Sequence, residues 1–371
     1  MAEVILTLEN FWTLREQLPL VDARSEGEFA QSHIPGAINI PILNNAERIQ
    51  VGTLYKQAGP EKATLKGFEL VGPRFHLIQR EALRNFPNKK VILYCWRGGM
   101  RSQILSWLLT QVGFEVYRLA GGYKTYRTFT FNEVRKPYPL LVLGGKTGTA
   151  KTVLLQKLKE RGEQVVDLEG LANHKGSSFG AIGLPAQPTV EQFENLLAEQ
   201  LRVMHPHQAI WVENESRRIG RIILPDPFYL QLTQSPRIEI EKTDQERIAH
   251  IASEYAALDR EELSAAVLRL QKRLGGDRTK QVLDAIQAHQ PEIWIPILLQ
   301  YYDKTYTYDL DRHEVSKTIH LNLEGLALED QVNLLLQTKP KGNGTSHPAH
   351  RMEWGIWLRL QNRSRHIGSN P

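Results

Sequence analysis

Cys95 is the only cysteine in this 371-residue chain, so any thiol chemistry runs through one sulfur. No internal disulfide, cysteine-based zinc site or resolving partner for a redox pair can be built. The cysteine stands in VILYCWRGGMRS, after apolar β-formers and ahead of two glycines and Arg101. That order places the thiol at the end of a buried strand. Gly98 and Gly99 let the backbone curl with successive N–H groups pointing inward, and a helix opening at Ser102 adds its positive end, so the loop is an anion cradle. The same donors, with Arg97 or Arg101, would stabilise a thiolate and lower the thiol pKa. A lone strand-end cysteine is by default a small core hydrophobe. The loop around Cys95 argues instead for a nucleophile able to hold an extra chalcogen atom.

A second chemical segment, GGKTGTAKT, follows an apolar strand at 140–143 and opens a helix at Lys151. It fits G-x-x-x-x-G-K-[ST] from Gly145 to Thr152, except that Ala150 replaces the last glycine. With alanine allowed there, a chance match in a chain of this length arises about 3% of the time. Such a loop surrounds a phosphate with backbone N–H groups from Thr147 through Thr149 to Lys151, Lys151 neutralises it, and Thr152 can ligate Mg²⁺. Gly145 and Gly148 supply the sharp turns; the bland alternative is a glycine-rich turn with no ligand. No strand ends in the usual apolar run followed by Asp. The nearest carboxylates are Asp167 and Glu169 in VVDLEG and Glu213 and Glu215 in WVENESRRIG. A diphosphate on some other group therefore fits as well as a nucleotide.

Parallel sheets covered by helices would position both segments. Residues 1–130 alternate short apolar strands (20–23, 91–95, 116–119) with amphipathic stretches, including a helix at 102–112 stopped by Gly113. RKPYPLL, from Arg135 to Leu141, reads as a joint. A second alternation runs over 138–338: strand 140–143, helix from Lys151, strand 164–168, helix 190–204, strand 209–213, then a strand near 318–323 and a helix to 336. Between them, 243–305 turns helical, with Ile248, Ile251, Tyr255 and Leu258 and then Leu263, Val267, Leu270 and Leu274 at three- and four-residue spacing. The fold class expected is α/β, a parallel-sheet domain followed by a P-loop NTPase-like domain with a helical insertion.

LVDARSEGEFAQSHIPGAINIP carries the rhodanese hallmark: Asp22 and Arg24 at a strand end, Glu28, and the turn from His33 to Ala37. The first domain thus resembles a rhodanese, in which the loop cysteine carries a persulfide. Asp22, Glu28 and His33 are expected to be structural. Five residues separate Cys95 from Arg101, the wider spacing of cysteine phosphatases and their rhodanese-like relatives. This leaves a phosphatase or kinase-like enzyme on small phosphates open, although no positioned acid is evident.

Together with GTLYKQAG, DLEGLANHKGSSFGAIG and WVENESRRIG, the two loops resemble the tRNA 2-selenouridine synthase family over about residues 5–335. The resemblance implies a transferase, both selenotransferase and tRNA geranyltransferase, that turns wobble 2-thiouridine into 2-selenouridine through an S-geranylated intermediate. Its implied co-substrates are selenophosphate and geranyl diphosphate, with no tightly bound cofactor, Mg²⁺ as an option, and tRNA and a selenophosphate-producing enzyme as partners. Cys95 would carry selenium, with Arg97 and Arg101 holding anions. Gly145, Gly148, Thr149, Lys151 and Thr152 would cradle the diphosphate. His174, Lys175, Ser177, Ser178, Glu213, Glu215, Arg217 and Arg218 are second-rank candidates.

Charge distribution suits a polyanion. Of the net +5, the last 33 residues (339–371) hold six Lys and Arg against the single acid Glu353, and Arg269, Lys272 and Arg273 share one helix face, with Arg278 and Lys280 following. A solvated charged face is the plain alternative. Trp354 and Trp357 could stack on bases or anchor the tail. No apolar run is long enough for a membrane span and the start lacks a secretion signal, which predicts a cytoplasmic protein. A noncatalytic phosphate-sensing or scaffolding protein, with Cys95 dispensable, is the third class left open.

Overall fold

The computed structural model describes residues 3–255, 258–310 and 318–339. The basic tail with Trp354 and Trp357 lies outside the described residues. The described residues form two units, 3–133 with Glu191–Glu199, and those of 134–190 with those of 200–339.

In the first unit five parallel strands, β1 (Val4–Leu6), β2 (Leu20–Asp22), β3 (Ala37–Asn39), β4 (Lys90–Tyr94) and β5 (Glu115–Leu119), take the order β1-β5-β4-β2-β3. Pairing of Leu20 with Ile92 and of Val91 with Val116 puts β4 in the middle. Its residues Val91 to Tyr94 are wholly buried, as a strand covered by helices on both faces must be. One face packs Val91 and Leu93 with Leu105, Leu109 and Phe114. The other packs Ile92 and Tyr94 with Phe11, Ile34, Tyr123 and Tyr126.

The helix Val190–Arg202, which chain order assigns to the second sheet, contributes Glu191–Glu199 to the first unit. Polar contacts tie it there. Asn195 is fully buried and its amide nitrogen donates to the His33 carbonyl (2.9 Å) and the Tyr123 hydroxyl (2.8 Å), while its oxygen accepts from Arg127 at 2.6 Å. Glu199 accepts from Tyr126 and Arg15 at 2.8 and 2.7 Å. A 3.6-residue period marks a helix's apolar face without saying which sheet it meets.

The second unit holds β6 (Leu140–Gly145), β7 (Gln164–Val166), β8 (Ile210–Glu213), the two-residue hairpin strands β9 (Arg218–Ile219) and β10 (Ile222–Ile223), β11 (Arg237–Glu241) and β12 (Thr318–Asn322). The main sheet is parallel in the order β12-β11-β6-β8-β7, so β6 is central. Strand β11 escapes a reading of the sequence because RIEIE alternates charge. Yet Arg237 and Glu239 are buried, the former donating to Asn214 (2.7 Å) and the latter accepting from Tyr306 (2.6 Å). The helices Asp244–Tyr255, Arg260–Leu274, Gly276–Gln287 and Pro291–Leu310 form the helical insertion, with Leu263, Val267, Leu270 and Leu274 in its own core. Among the described residues no helix is long and apolar enough to cross a membrane.

The Asp22–Arg24 pair sits at the end of β2, both side chains at most 1% exposed, with the guanidinium also donating to the Ser32 carbonyl and lying over the Tyr123 ring at 4.1 Å. Removing one partner strands a buried charge. Asp22→Ala should therefore cost about 3–5 kcal/mol in urea unfolding, whereas Glu69→Ala, which breaks an exposed pair with Lys66, should cost about 0.5 kcal/mol or less.

Candidate functional site

Cys95 follows the last residue of β4 and is 3% exposed. Its thiol donates to Ser102 Oγ at 3.2 Å, and Ser102 in turn donates to the Gly99 carbonyl at 2.9 Å. The helix after the loop begins at Met100, two residues earlier than Ser102 suggested, with Gly99 as its N-cap. A second helix N-terminus meets the same loop: Tyr123 N–H donates to the Cys95 carbonyl (2.8 Å) and Lys124 N–H to that of Trp96 (2.9 Å). This approach needs Gly122, where an added Cβ would lie 2.2 Å from the Cys95 carbonyl oxygen. The glycine pair Gly121-Gly122 was missed from sequence; its signal was its position immediately after β5.

Arg97 is exposed at the loop. Arg101 does not point its charge freely at the thiol, because Glu28 accepts from its Nη1 at 2.5 Å. Burial pushes the Glu28 carboxyl up, but Arg101 and Arg48 outweigh that and hold it below its ordinary value. Glu28 also closes the capping box of its own helix with Ser25. His33 stacks on Phe29, and its backbone N–H donates to Gln192, which suits a structural role.

In the second unit β6 runs into the glycine-rich loop. Gly145 (φ 153°), Gly148 (φ 86°) and Ala150 (φ 64°) all have positive φ. Ala150 thus occupies the left-handed conformation that glycine takes without steric cost. Lys151 opens the helix Lys151–Glu160, and its Nζ donates to the Gly145 carbonyl at 2.5 Å. Thr149 Oγ1 donates to the Lys146 carbonyl at 2.8 Å and is buried. The apex is clamped from the helical insertion: Arg247, 1% exposed, donates Nε–H to the Thr147 carbonyl (2.8 Å) and is itself held by Asp244 and Asp303. Tyr306 accepts from Gly145 N–H at 2.6 Å and donates to Glu239 at 2.6 Å. Arg247, Asp303, Tyr306 and Glu239 were not legible as site residues, since their sequence distance from the loop carries no motif.

Around Lys151 the motifs converge. Thr152 Oγ1 donates to Glu169 at 3.2 Å, and Glu169 N–H donates to Glu213 Oε1 at 2.7 Å. Glu213 ends β8, the strand beside β6, and its Oε2 is buried without a hydrogen-bond partner. Asp167 is instead a helix cap, accepting from Gly170 N–H. Gly176 lies where a Cβ would come 2.9 Å from Glu215 and 3.0 Å from Glu169, and Gly220 packs on the His174 ring. Lys175 pairs with Glu254 at 3.2 Å. Ser177 joins Thr147, Phe179 and Trp294 in lining an apolar pocket of about 40 Å³, whereas the Ser178 carbonyl accepts from Arg269. Arg217 pairs with Asp226 and Arg218 starts the hairpin; both are exposed. Among the described residues no group of three or more His, Cys, Asp or Glu is placed to hold a metal.

Electrostatics follow from this crowding. Burial lowers the Lys151 pKa, and the carboxylates of Glu169, Glu215, Glu239 and Glu213 oppose it. Burial, then the Glu169 and Glu213 charges, push the Glu215 carboxyl well above its usual range. Burial, then Asp167 and Glu169, push Glu213 up to about 8. Burial lowers the His174 pKa, assisted by Arg269.

A sheet ending in a cysteine loop and a second ending in a glycine-rich loop that opens a helix define a two-domain protein with a rhodanese-like and a P-loop-like unit. The chain matches the rhodanese-like domain model over residues 7–128 and the tRNA 2-selenouridine synthase AAA domain model over residues 138–327. It is 37% identical over 330 residues to a tRNA 2-selenouridine synthase of Sulfurovum sp. (strain NBC37-1), covering 80% of this chain and 89% of that protein. Proteins of the same name from Bdellovibrio bacteriovorus and Shewanella denitrificans are 34% and 36% identical, covering 81% and 85% of this chain and 91% and 94% of theirs. The chain belongs to the tRNA 2-selenouridine synthase family.

The raised Glu213 pKa has a consequence for stability. A free glutamate titrates near 4.5 and Glu213 near 8, so between those values the folded state keeps a proton that the unfolded state has released. Stability therefore falls as pH rises through that window and levels off above it. Without added ligand, Glu213→Gln should gain on the parent protein most above pH 8, by about 3–6 °C in Tm, and least near pH 5; thermal melts across pH check this.

Proposed function

We propose that this protein converts 2-thiouridine of tRNA into 2-selenouridine in two stages, S-geranylation by geranyl diphosphate and then replacement of the alkylthio group by selenium from selenophosphate. The observation that carries the reading is a pair of strand-to-helix loops on separate sheets, one around a buried thiol and one around Lys151. Family membership supplies the substrate class, because the named relatives are tRNA 2-selenouridine synthases.

The chemistry needs both. A thiouridine sulfur is a poor leaving group from the base. Alkylation at sulfur breaks the C–O bond of the prenyl diphosphate and releases diphosphate, whose charge Lys151 and the loop N–H groups would hold. The alkylated sulfur can then depart as a neutral thiol when a C–Se bond forms. Selenium in selenophosphate is already at the selenide level and stays there: the C–Se bond forms as the alkylthio group leaves with a proton, the P–Se bond breaks with water taking the phosphoryl group as phosphate, and Cys95 would carry the selenide donor in its loop without any exchange of electrons. Thr152 and Glu169 offer the hard oxygen donors that Mg²⁺ prefers, beside where a diphosphate would supply the rest. The raised pKa values of Glu213 and Glu215 suit the same ligand, because protonated carboxyls do not repel a phosphate. A phosphatase reading of the cysteine loop is weakened by Glu28, which occupies the arginine that would have to grip the phosphate.

Cys95→Ser should abolish selenium incorporation and accumulate S-geranylated tRNA, since a serine hydroxyl lacks the acidity and polarisability of the thiol that would hold the selenide donor; nucleoside mass analysis reads both. Normal 2-selenouridine from this variant would remove the carrier role. Lys151→Ala should weaken geranyl diphosphate binding by about 1.5–3 kcal/mol in calorimetry, fail on 2-thiouridine tRNA, and still convert tRNA that is already S-geranylated. Unchanged affinity would place the diphosphate elsewhere.

A further inference from the structure

The segment GTLYKQAG, from Gly52 to Gly59, belongs to neither cradle. It lies in the helix Asn45–Val71, which is broken at Gly59 (φ 85°) ahead of Pro60. With Met100, Arg101 and Ile104, which directly follow the cysteine loop, this kinked helix walls a groove of about 540 Å³, a volume in the range of small-molecule sites. Tyr55, Phe68 and Met100 on its walls are 60%, 44% and 49% exposed, more than core side chains would be. Two further helix positions on the groove, Gly52 and Gly67, have ordinary φ, and a Cβ built on either meets nothing within 4 Å. Glycine inside a helix costs about 1 kcal/mol relative to alanine, so nothing in the local backbone favours it there; its effect is to leave the groove open.

The groove is amphiphilic. Arg48, Lys56 and Arg101 stand around its apolar floor, and the acid Glu28 is shared by two of them. A free phosphate would leave the apolar walls unused, and a plain hydrocarbon would leave the cations unused. A hydrocarbon chain joined to a polyanion uses both. The groove also begins at the loop that carries Cys95, whereas the apolar pocket beside the phosphate loop measures only about 40 Å³.

We propose that this groove binds the acyclic hydrocarbon chain of the S-alkylated tRNA nucleotide, seating the chain next to the thiol loop with the nucleic-acid backbone over the cations. This rests on the two-stage reading above and adds to it the place where the departing chain is held. Chain and reacting carbon are then linked by a single sulfur, so seating the chain also positions the base. On this assignment Gly52, Gly67 and Phe68 are positioning residues.

The test uses the full-length protein and anticodon stem-loop RNAs carrying S-methyl or S-geranyl 2-thiouridine, with the affinity ratio as the readout. Wild type should bind the S-geranyl RNA about ten- to hundredfold more tightly than the S-methyl RNA. Gly67→Leu and Gly52→Leu, which fill the groove, should erase most of that ratio. Phe68→Ser, at a half-exposed wall position where folding is not at stake, should reduce it several-fold, and thermal melts establish that each variant is folded. Selenium transfer should follow the same order, with the leucine variants accumulating S-geranylated tRNA. A ratio unchanged in all three variants overturns the groove, and a ratio lost in Lys151→Ala alone moves the chain to the phosphate loop. Selenium transfer by wild type with no preference for the longer chain also overturns the groove while leaving the two-stage reading intact. No selenium product from any S-alkylated RNA overturns the two-stage reading itself, and the groove with it.

Discussion

A helix N-terminus leaves backbone N–H groups unpaired, and at the carboxyl edge of a central parallel strand those groups have room to face a ligand instead of solvent. Both sites of this protein depend on that constraint. Strand β4 delivers Cys95 to the edge of one sheet, where the helix Met100–Gln111 begins and the helix Gly122–Glu133 closes on the Cys95 carbonyl. Strand β6 delivers Gly145 to the edge of the other, where the helix Lys151–Glu160 begins. A chain leaving a strand and entering a helix within a few residues must turn sharply, which is why Gly98, Gly122, Gly145 and Gly148 carry positive φ. Ala150 shares that geometry without glycine's freedom, so the packing around it holds it there.

The two edges differ in charge. At the cysteine loop the arginine is matched by Glu28, and the thiol is surrounded by neutral partners, Ser102 and the Gly99 carbonyl. At the phosphate loop one lysine faces several carboxyls. Burial would neutralise both signs of charge; Lys151 is pushed down and Glu213 and Glu215 are pushed up, the Lys151 and Glu215 shifts being moderated by the opposite charge beside them. A bound diphosphate would favour the charged lysine and the neutral carboxyls further. The buried carboxyls Glu213 and Glu215 therefore carry less negative charge near neutral pH than their number suggests. Arg247 adds rigidity at the apex rather than charge, since Asp244 and Asp303 neutralise it and its Nε–H is spent on the loop backbone.

The same economy of glycine appears in the kinked helix Asn45–Val71. Its glycines are a weakness by propensity, and its sequence gives a mixed periodicity, so the alternation of strands and helices near the start of the chain passed over it. Only the placement of Met100, Arg101 and Ile104 opposite those glycines shows that the weakness opens a groove.

The sequence alone was enough to place the thiol on a strand end, the phosphate loop between a strand and a helix, the two parallel-sheet regions and the helical insertion. These are local facts: apolar runs, periodicity and turn residues act within a few positions of one another. It also marked Glu213 and Glu215 through a short segment, without showing that both crowd against Glu169. Tertiary structure decided which charges are spent and which face a site. It paired Arg101 with Glu28, made Asp167 a cap, buried the charged strand β11, brought Arg247 and Tyr306 onto the phosphate loop, and gave Glu191–Glu199 to the first unit. Each of these depends on desolvation and on partners distant in sequence, and the free energy of a charge is set by what surrounds it after folding. A single sequence orders its neighbours along the chain, whereas that environment exists only in three dimensions.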